Sequence, residues 1–214
     1  MAEFGVMTTY SLPDGRRLSK SEDTRRRIVL GAASVLVEKG YAATRLSDIA
    51  ATVGMQAGSL YYHFDSKDDL VEEVLGFGVR FVHERVRNRV DELPEDLTPG
   101  ERLFEAVAAF LDALLEVGDL SPAHLRTFHQ VPPDMQARLA PDRRAFGHYL
   151  DGLIRGAVDS GEVRADIDVV VLRLFIINSL ERVVDWPISL RERGGRDAVD
   201  MMRTLIFDGV RAVR

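Results

Sequence analysis

Residues 44–64, TRLSDIAATVGMQAGSLYYHF, constrain the fold more than any other stretch of the chain. Leu46, Ile49, Ala50 and Val53 recur at three- and four-residue spacing, which lines one face of a short helix with apolar side chains. Thr44 stands where an N-cap belongs, and Gly54 follows the last apolar position, where a left-handed residue ends a helix at little cost. A second helix then carries Leu60 and Phe64 inward and leaves Ser59, Tyr61, Tyr62 and His63 outside. Ala50 and Gly58 are small, as two closely crossing helices require. Two short helices joined by a tight turn make a helix-turn-helix, whose second helix fits the major groove of DNA.

The side chains left outside suit that surface. Ser59, Tyr61, Tyr62 and His63 offer hydroxyls and a ring N–H to phosphates and base edges, and Lys67 follows one turn later. Ala57, Gly58, Ser59 and Tyr61 are expected near bases, and Tyr62 and Lys67 at phosphate. Thr44, Arg45 and Gln56, at the helix starts, complete the expected DNA-contacting set. Charge agrees in sign. The net charge is −6, yet residues 1–67 hold nine Lys and Arg against seven Asp and Glu, and the remainder nineteen against twenty-seven. A basic end on an acidic body is the asymmetry expected when one face alone meets phosphate.

The same segment carries a family likeness. Gly40-Tyr41, Thr44, Asp48-Ile49-Ala50, Gly54, Gly58, Leu60-Tyr61, His63-Phe64 and Lys67-Asp68-Asp69-Leu70 fall in the order and spacing of the TetR family of transcriptional regulators, which this stretch resembles. The resemblance implies a DNA-binding domain followed by a helical domain that binds an inducer and dimerises through its last long helices. Gln56 departs from the pattern, standing where the family usually has Ser or Thr capping the recognition helix. Gln caps poorly, so the start of that helix is less firmly set.

The rest of the chain reads as helices too. Residues 1–18 show no periodicity and are expected to be a disordered arm, with Arg16 and Arg17 available to a minor groove. Ser19-Lys20-Ser21-Glu22 is a capping box, opening a helix with Ile28, Ala32, Val35 and Leu36 inward that stops at Gly40. Residues 19–66 then form the DNA-binding unit, and 67–214 the body. Ser66 caps a long helix that is the only covalent link between the two. Further helices are expected after Thr98-Pro99, Ser121-Pro122 and Pro132-Pro133, then over 143–160, 169–184 and about 197–210. No alternating strand pattern appears, so the fold class is all-α.

Within the body, Phe77, Phe81, Phe110, Phe128 and Tyr149, with His124, His129 and Asn178 as polar groups, are the candidate lining of a small-molecule pocket between helices. The helix over 169–184 is apolar nearly all round and needs cover on more than one side. A second copy is its simplest partner. Phe146, Leu150, Ile154, Leu172, Ile176 and Leu180 are the expected self-association residues, and Ile176→Asp is expected to give a monomer. The stretch from Asp166 to Trp186 more faintly resembles the branch of the family that answers to acyl-CoA thioesters.

Several chemistries are missing from the sequence. There is no cysteine, Gly-rich phosphate loop, G-x-S-x-G elbow or H-E-x-x-H, so neither a metal nor a cofactor is expected. Glu72-Glu73 beside Asp68-Asp69 suits the positive end of a helix better than acid–base catalysis. No apolar run reaches the ~18 residues of a membrane span, and a cytoplasmic location is expected. The sequence therefore predicts a homodimeric repressor that binds a palindromic double-stranded operator and is released by a small apolar or amphipathic effector. The alternative is a helical enzyme or interaction module with an incidental helix-turn-helix.

Overall fold

The computed structural model describes residues 19–186 and 195–210. The expected arm, with Arg16 and Arg17, lies outside the described residues. Among those described, the elements are helical and no β-strand occurs: α1 Lys20–Ala43, α2 Leu46–Thr52, α3 Ala57–Leu60, α4 Lys67–Asp91, α5 Pro99–Glu116, α6 Leu120–Thr127, α7 Pro133–Asp159, α8 Val169–Glu181 with a 3-10 turn at Arg182–Asp185, and α9 Gly195–Val210.

Capping residues start several of these helices where the sequence puts them. The Ser19 amide donates to Glu22 at 2.8 Å and the Glu22 amide to the Ser19 hydroxyl at 3.2 Å. Ser66 accepts from the Asp69 amide at 3.0 Å, and Asp168 from the Val170 and Val171 amides. Gly40, at φ +71°, breaks the regular run of α1 before its last residues, a conformation that glycine adopts without strain.

Thr44 is a correction. Arg45 occupies the N-cap position of α2, and the Asp48 carboxylate accepts the Arg45 amide at 3.1 Å. Thr44 is buried, and its hydroxyl donates back to the Gly40 carbonyl at 2.7 Å, at the end of α1. Gly58 is another. A Cβ built there meets nothing within 4 Å, whereas one on Gly31 would collide with the Val53 side chain. The close approach is thus between α1 and the turn after α2. A third difference is that the helices expected from Pro132 and from Arg143 are one element, α7, with Pro141 on an exposed side of its interior. That proline removes a backbone donor, and its surroundings tolerate the loss.

Two apolar cores hold these helices. One joins α4, α5, α7, α8 and α9 through residues such as Val86, Phe110, Leu150, Ile176 and Ile206. The other contains Ile28, Leu36, Ile49, Ala50, Leu60 and Phe64 of the helix-turn-helix unit, together with Leu70, Leu75, Val117, Leu120, Ala123, Met135 and Leu139 of the body. The boundary at residue 66 is therefore one of sequence, not of packing. α6 lies against both α1 and α4, and the Tyr41 amide donates across to Gln130 at 3.0 Å. A shift of α6 has to be felt in the DNA-binding unit, because interiors are close-packed.

Candidate nucleic-acid interface and interior cavity

In the helix-turn-helix unit, Leu60 and Phe64 point inward and are buried, while Tyr61 and Tyr62 are 59% and 85% exposed. Arg45, Gln56, Ala57, Gly58 and Ser59 are exposed as well, and His63 is half-buried with its ring edge-on to Tyr62. Of the expected DNA-contacting residues, Thr44 is buried, His63 and Lys67 are half-buried and the others are exposed. Gln56 sits at the N-cap of α3 without a side-chain bond to the helix, as its poor capping ability anticipates.

Cations brace this unit from behind. Arg25 donates to the His63 carbonyl at 2.5 Å, lies 4.1 Å from the Phe64 ring centroid and reaches Glu73 at 3.6 Å, tying α1 to the end of α3 and to α4. Arg27 donates to the Val53 carbonyl at 3.2 Å. Lys67 is only half-buried, but its ammonium is engaged, 3.1 Å from the Tyr41 carbonyl and 4.2 Å from that ring's centroid. Tyr41 donates to Asp68 at 2.8 Å, and burial, then that bond, push its phenol pKa up. Lys39 pairs with Asp48 at 3.1 Å; this contact, with the Arg45 amide, holds the Asp48 carboxyl below the usual range.

The body contains a cavity of about 290 Å³ between α4, α5, α6, α7 and α8. Its apolar lining includes Val79, Val82, Phe110, Leu114, Leu120, Leu125, Phe146, Leu174 and Ile177. Ser121, His124, Arg143, Arg144, Arg173, Asn178 and Glu181 add polar groups. Of the residues expected there, Phe110, His124 and Asn178 line it and the other five do not. Phe77 and Phe81 stack on each other against the core shared with the DNA-binding unit. Phe128 backs His124, ring centroids 5.2 Å apart, and His129 is exposed against the edge of Phe128. Tyr149 packs on His83, and its buried hydroxyl has no hydrogen-bond partner among the described residues.

The arginines were missed, although two of the cavity's charges interrupt an otherwise apolar helix at Arg173 and Glu181, which is itself a signal. Arg173 Nε lies 3.0 Å from Asp151 Oδ1, close enough for an ion pair but misaligned as a hydrogen bond. Arg143 caps the stack of His124 and Phe128, 4.1 Å from the Phe128 centroid. Burial, followed by the charge of Arg143, lowers the His124 pKa to about 4, so its ring is neutral at neutral pH. Burial pushes the Glu181 carboxyl up against the opposing effect of Arg143 and Arg182.

The six residues assigned to self-association are corrected. Phe146, Leu150, Ile154, Leu172, Ile176 and Leu180 are each no more than 6% exposed in the single chain, so they form its own core. The uncovered apolar residues of α8 are Val170, Val171, Leu174 and Phe175, and α9 adds Met201 and Leu205. Among the described residues no helix is long and apolar enough to cross a membrane, and no group of metal-ligating side chains is found.

Comparison with known proteins agrees with this architecture. The repressor KstR2 of Mycobacterium tuberculosis is 29% identical over 210 residues, 91% of this chain and 99% of its own. The solved structure of that ketosteroid regulator superposes with a TM-score of 0.75, at 23% identity, over 93% of this chain and 98% of its own. The fatty acid metabolism regulator protein of Bacillus subtilis is 22% identical over 76% of this chain and 83% of its length. AibR, solved with isovaleryl coenzyme A and operator DNA, superposes with a TM-score of 0.70 at 20% identity over 86% of this chain and 97% of its own, a likeness of fold. Residues 28–74 match the bacterial regulatory proteins of the tetR family, and residues 96–210, more than half of the chain, match the tetracyclin repressor-like C-terminal domain. The chain belongs to the TetR family, and is a helix-turn-helix transcriptional regulator, not an enzyme.

Proposed function

We propose that the protein is a cytoplasmic, homodimeric repressor that leaves its operator when an anionic amphipath enters the cavity. One observation carries this reading: α6 is shared. Leu120, Ser121, His124 and Leu125 line the cavity, while Leu120 and Ala123 are buried in the core that holds α1, α2 and α3. A ligand that displaces α6 biases the position of the recognition helix, as a switch requires. Three arginines beside an apolar wall suit an acid or acyl thioester with a hydrocarbon portion. The relatives named for fatty acid metabolism and solved with isovaleryl coenzyme A favour the same class.

Self-association follows from the uncovered face of α8 with the exposed residues of α9, which a second copy covers best in a two-fold arrangement. Two recognition helices then meet the two halves of a palindromic operator. Ala57, Gly58, Ser59 and Tyr61 face bases, while Arg45, Gln56, Tyr62 and His63 face the backbone. Lys67 reaches phosphate only by leaving Tyr41.

The test is a titration of a fluorescent promoter fragment from beside the protein's own gene, with isovaleryl coenzyme A, decanoyl coenzyme A or free coenzyme A added. Sequence-selective, salt-sensitive binding that one thioester reverses is the expected result. Binding that is equal on random DNA removes the repressor reading, and binding that neither thioester reverses removes the thioester as its effector.

A further inference from the structure

We propose that the cavity selects an effector bearing a hydroxyl, or a similar hydrogen-bond donor, on its apolar portion, and that His124 reads that group. This rests on the cavity being the effector site. His124 is buried, and its Nδ1 lies 3.1 Å from the Leu75 carbonyl of α4. A carbonyl only accepts, so Nδ1 carries the ring proton and donates it. Burial and the charge of Arg143 exclude a second proton at neutral pH. Nε2 is therefore a bare lone pair. It has no partner among the described residues, and the ring borders the cavity. Phe128 stacks on one face of the ring.

The lone pair is set in a wall that includes Val82, Phe110, Leu120 and Ile177. A saturated chain pressed against that wall strips water from Nε2 and returns nothing. A hydroxyl returns a hydrogen bond, and sites built around such a group reject analogues that lack it. Glu181 reinforces the preference, since its half-buried carboxyl has no hydrogen bond or ion pair among the described residues. A lone pair and a carboxyl both favour a donor, while an anionic head has Arg143, Arg144 and Arg173 in the same lining.

Calorimetric titration of the full-length protein with decanoic acid, 3-hydroxydecanoic acid and 10-hydroxydecanoic acid tests this. At least one hydroxy acid should bind about tenfold tighter than decanoic acid. His124→Phe keeps a ring against Phe128 and loses both bonds, while His124→Asn retains a donor for Leu75 and holds its one acceptor, Oδ1, closer to the backbone than Nε2 stood. In both variants, checked for folding by thermal melting, the preference should shrink to within about twofold. Equal or tighter binding of decanoic acid by the unmutated protein overturns the proposal, as does a preference that survives both substitutions. If none of the three acids binds although a thioester releases the operator, the donor preference is overturned and the effector reading stands; if neither acids nor thioesters bind, the effector reading falls and the proposal with it.

Discussion

Among the described residues α3 and α8 both leave a face without a partner, and they do so with opposite chemistry. α3 and the turn after it expose Ser59, Tyr61 and Tyr62, while Leu60 and Phe64 are buried. α8 exposes Val170, Val171, Leu174 and Phe175, while Leu172, Ile176 and Leu180 are buried. A polar face can wait in water for DNA; a cluster of exposed apolar side chains is the kind of face that marks a contact with another protein surface. The difference is sharpest in two neighbouring residues. Ile176→Asp puts a carboxylate into the core and should unfold the protein, at a cost of several kcal/mol, about 3–5 by analogy with other uncompensated buried charges. Phe175→Asp, at a position 56% exposed, should leave a folded chain that sediments as a monomer and loses operator affinity. Thermal melting and sedimentation on both variants decide it. A folded Ile176→Asp, or a dimeric Phe175→Asp, would reverse the assignment of faces.

The next effect in size belongs to the helix that connects the two regions. His124 has its folded pKa lowered from 6.5 to about 4, so the unfolded chain binds its proton first as the pH falls. Its contribution is fully present above pH 6.5 and is lost progressively down to about pH 4. The loss is on the order of 3 kcal/mol. Denaturant melts at several pH values should show unmutated protein losing stability across this window more steeply than His124→Phe. Parallel curves would mean that the ring is not buried neutral against Leu75.

The unequal legibility of these regions has a physical cause. In the helix-turn-helix unit, apolar residues alternate with polar ones at helical spacing, so Ile49, Leu60 and Phe64 could be assigned inward from the sequence, and they are buried. Helix starts at Ser19, Ser66 and Thr98 depend on side chains within one turn, and they too were readable. α8 offers no such contrast. Its apolar residues run nearly all round despite Arg173 and Glu181, so periodicity selects no single face, and packing against α5 and α7 reveals which one is spent. Thr44 was misplaced by one residue: α2 begins at Leu46, so Arg45 falls at its N-cap, and the Thr44 hydroxyl donates to the Gly40 carbonyl. The cavity arginines come from α7 and α8, and nothing local in sequence brings them together.

On the α3 side the expected effects are smaller and appear in binding. Ser59 is exposed and has no structural role within the chain, so Ser59→Ala should leave the melting temperature unchanged. It should narrow the gap between operator and random DNA by about 1–3 kcal/mol if the hydroxyl meets a base. Lys67→Ala should instead weaken both kinds of DNA together and flatten the salt dependence by about one unit. Because Lys67 also braces Tyr41, its variant should melt slightly lower. Competition binding at several salt concentrations separates the two. A Lys67→Ala defect confined to the operator would place this lysine at a base.

The smallest effect tests the same face with a single methyl group. Gly58 sits in the first turn of α3, and a Cβ there meets nothing within 4 Å. In the free protein Gly58→Ala should therefore stabilise the helix by about 0.5–1 kcal/mol, through better helix propensity and a less flexible unfolded chain. For a chain of this length that corresponds to a rise in melting temperature of roughly 2–3 °C. On DNA the sign should invert. If the first turn of α3 lies against base edges, the added methyl holds the helix off the groove, and operator affinity falls while stability rises. Opposite changes in the two measurements would show that this glycine is kept for close approach to DNA rather than for packing. Operator affinity that holds steady or rises together with stability would move the first turn of α3 out of the groove.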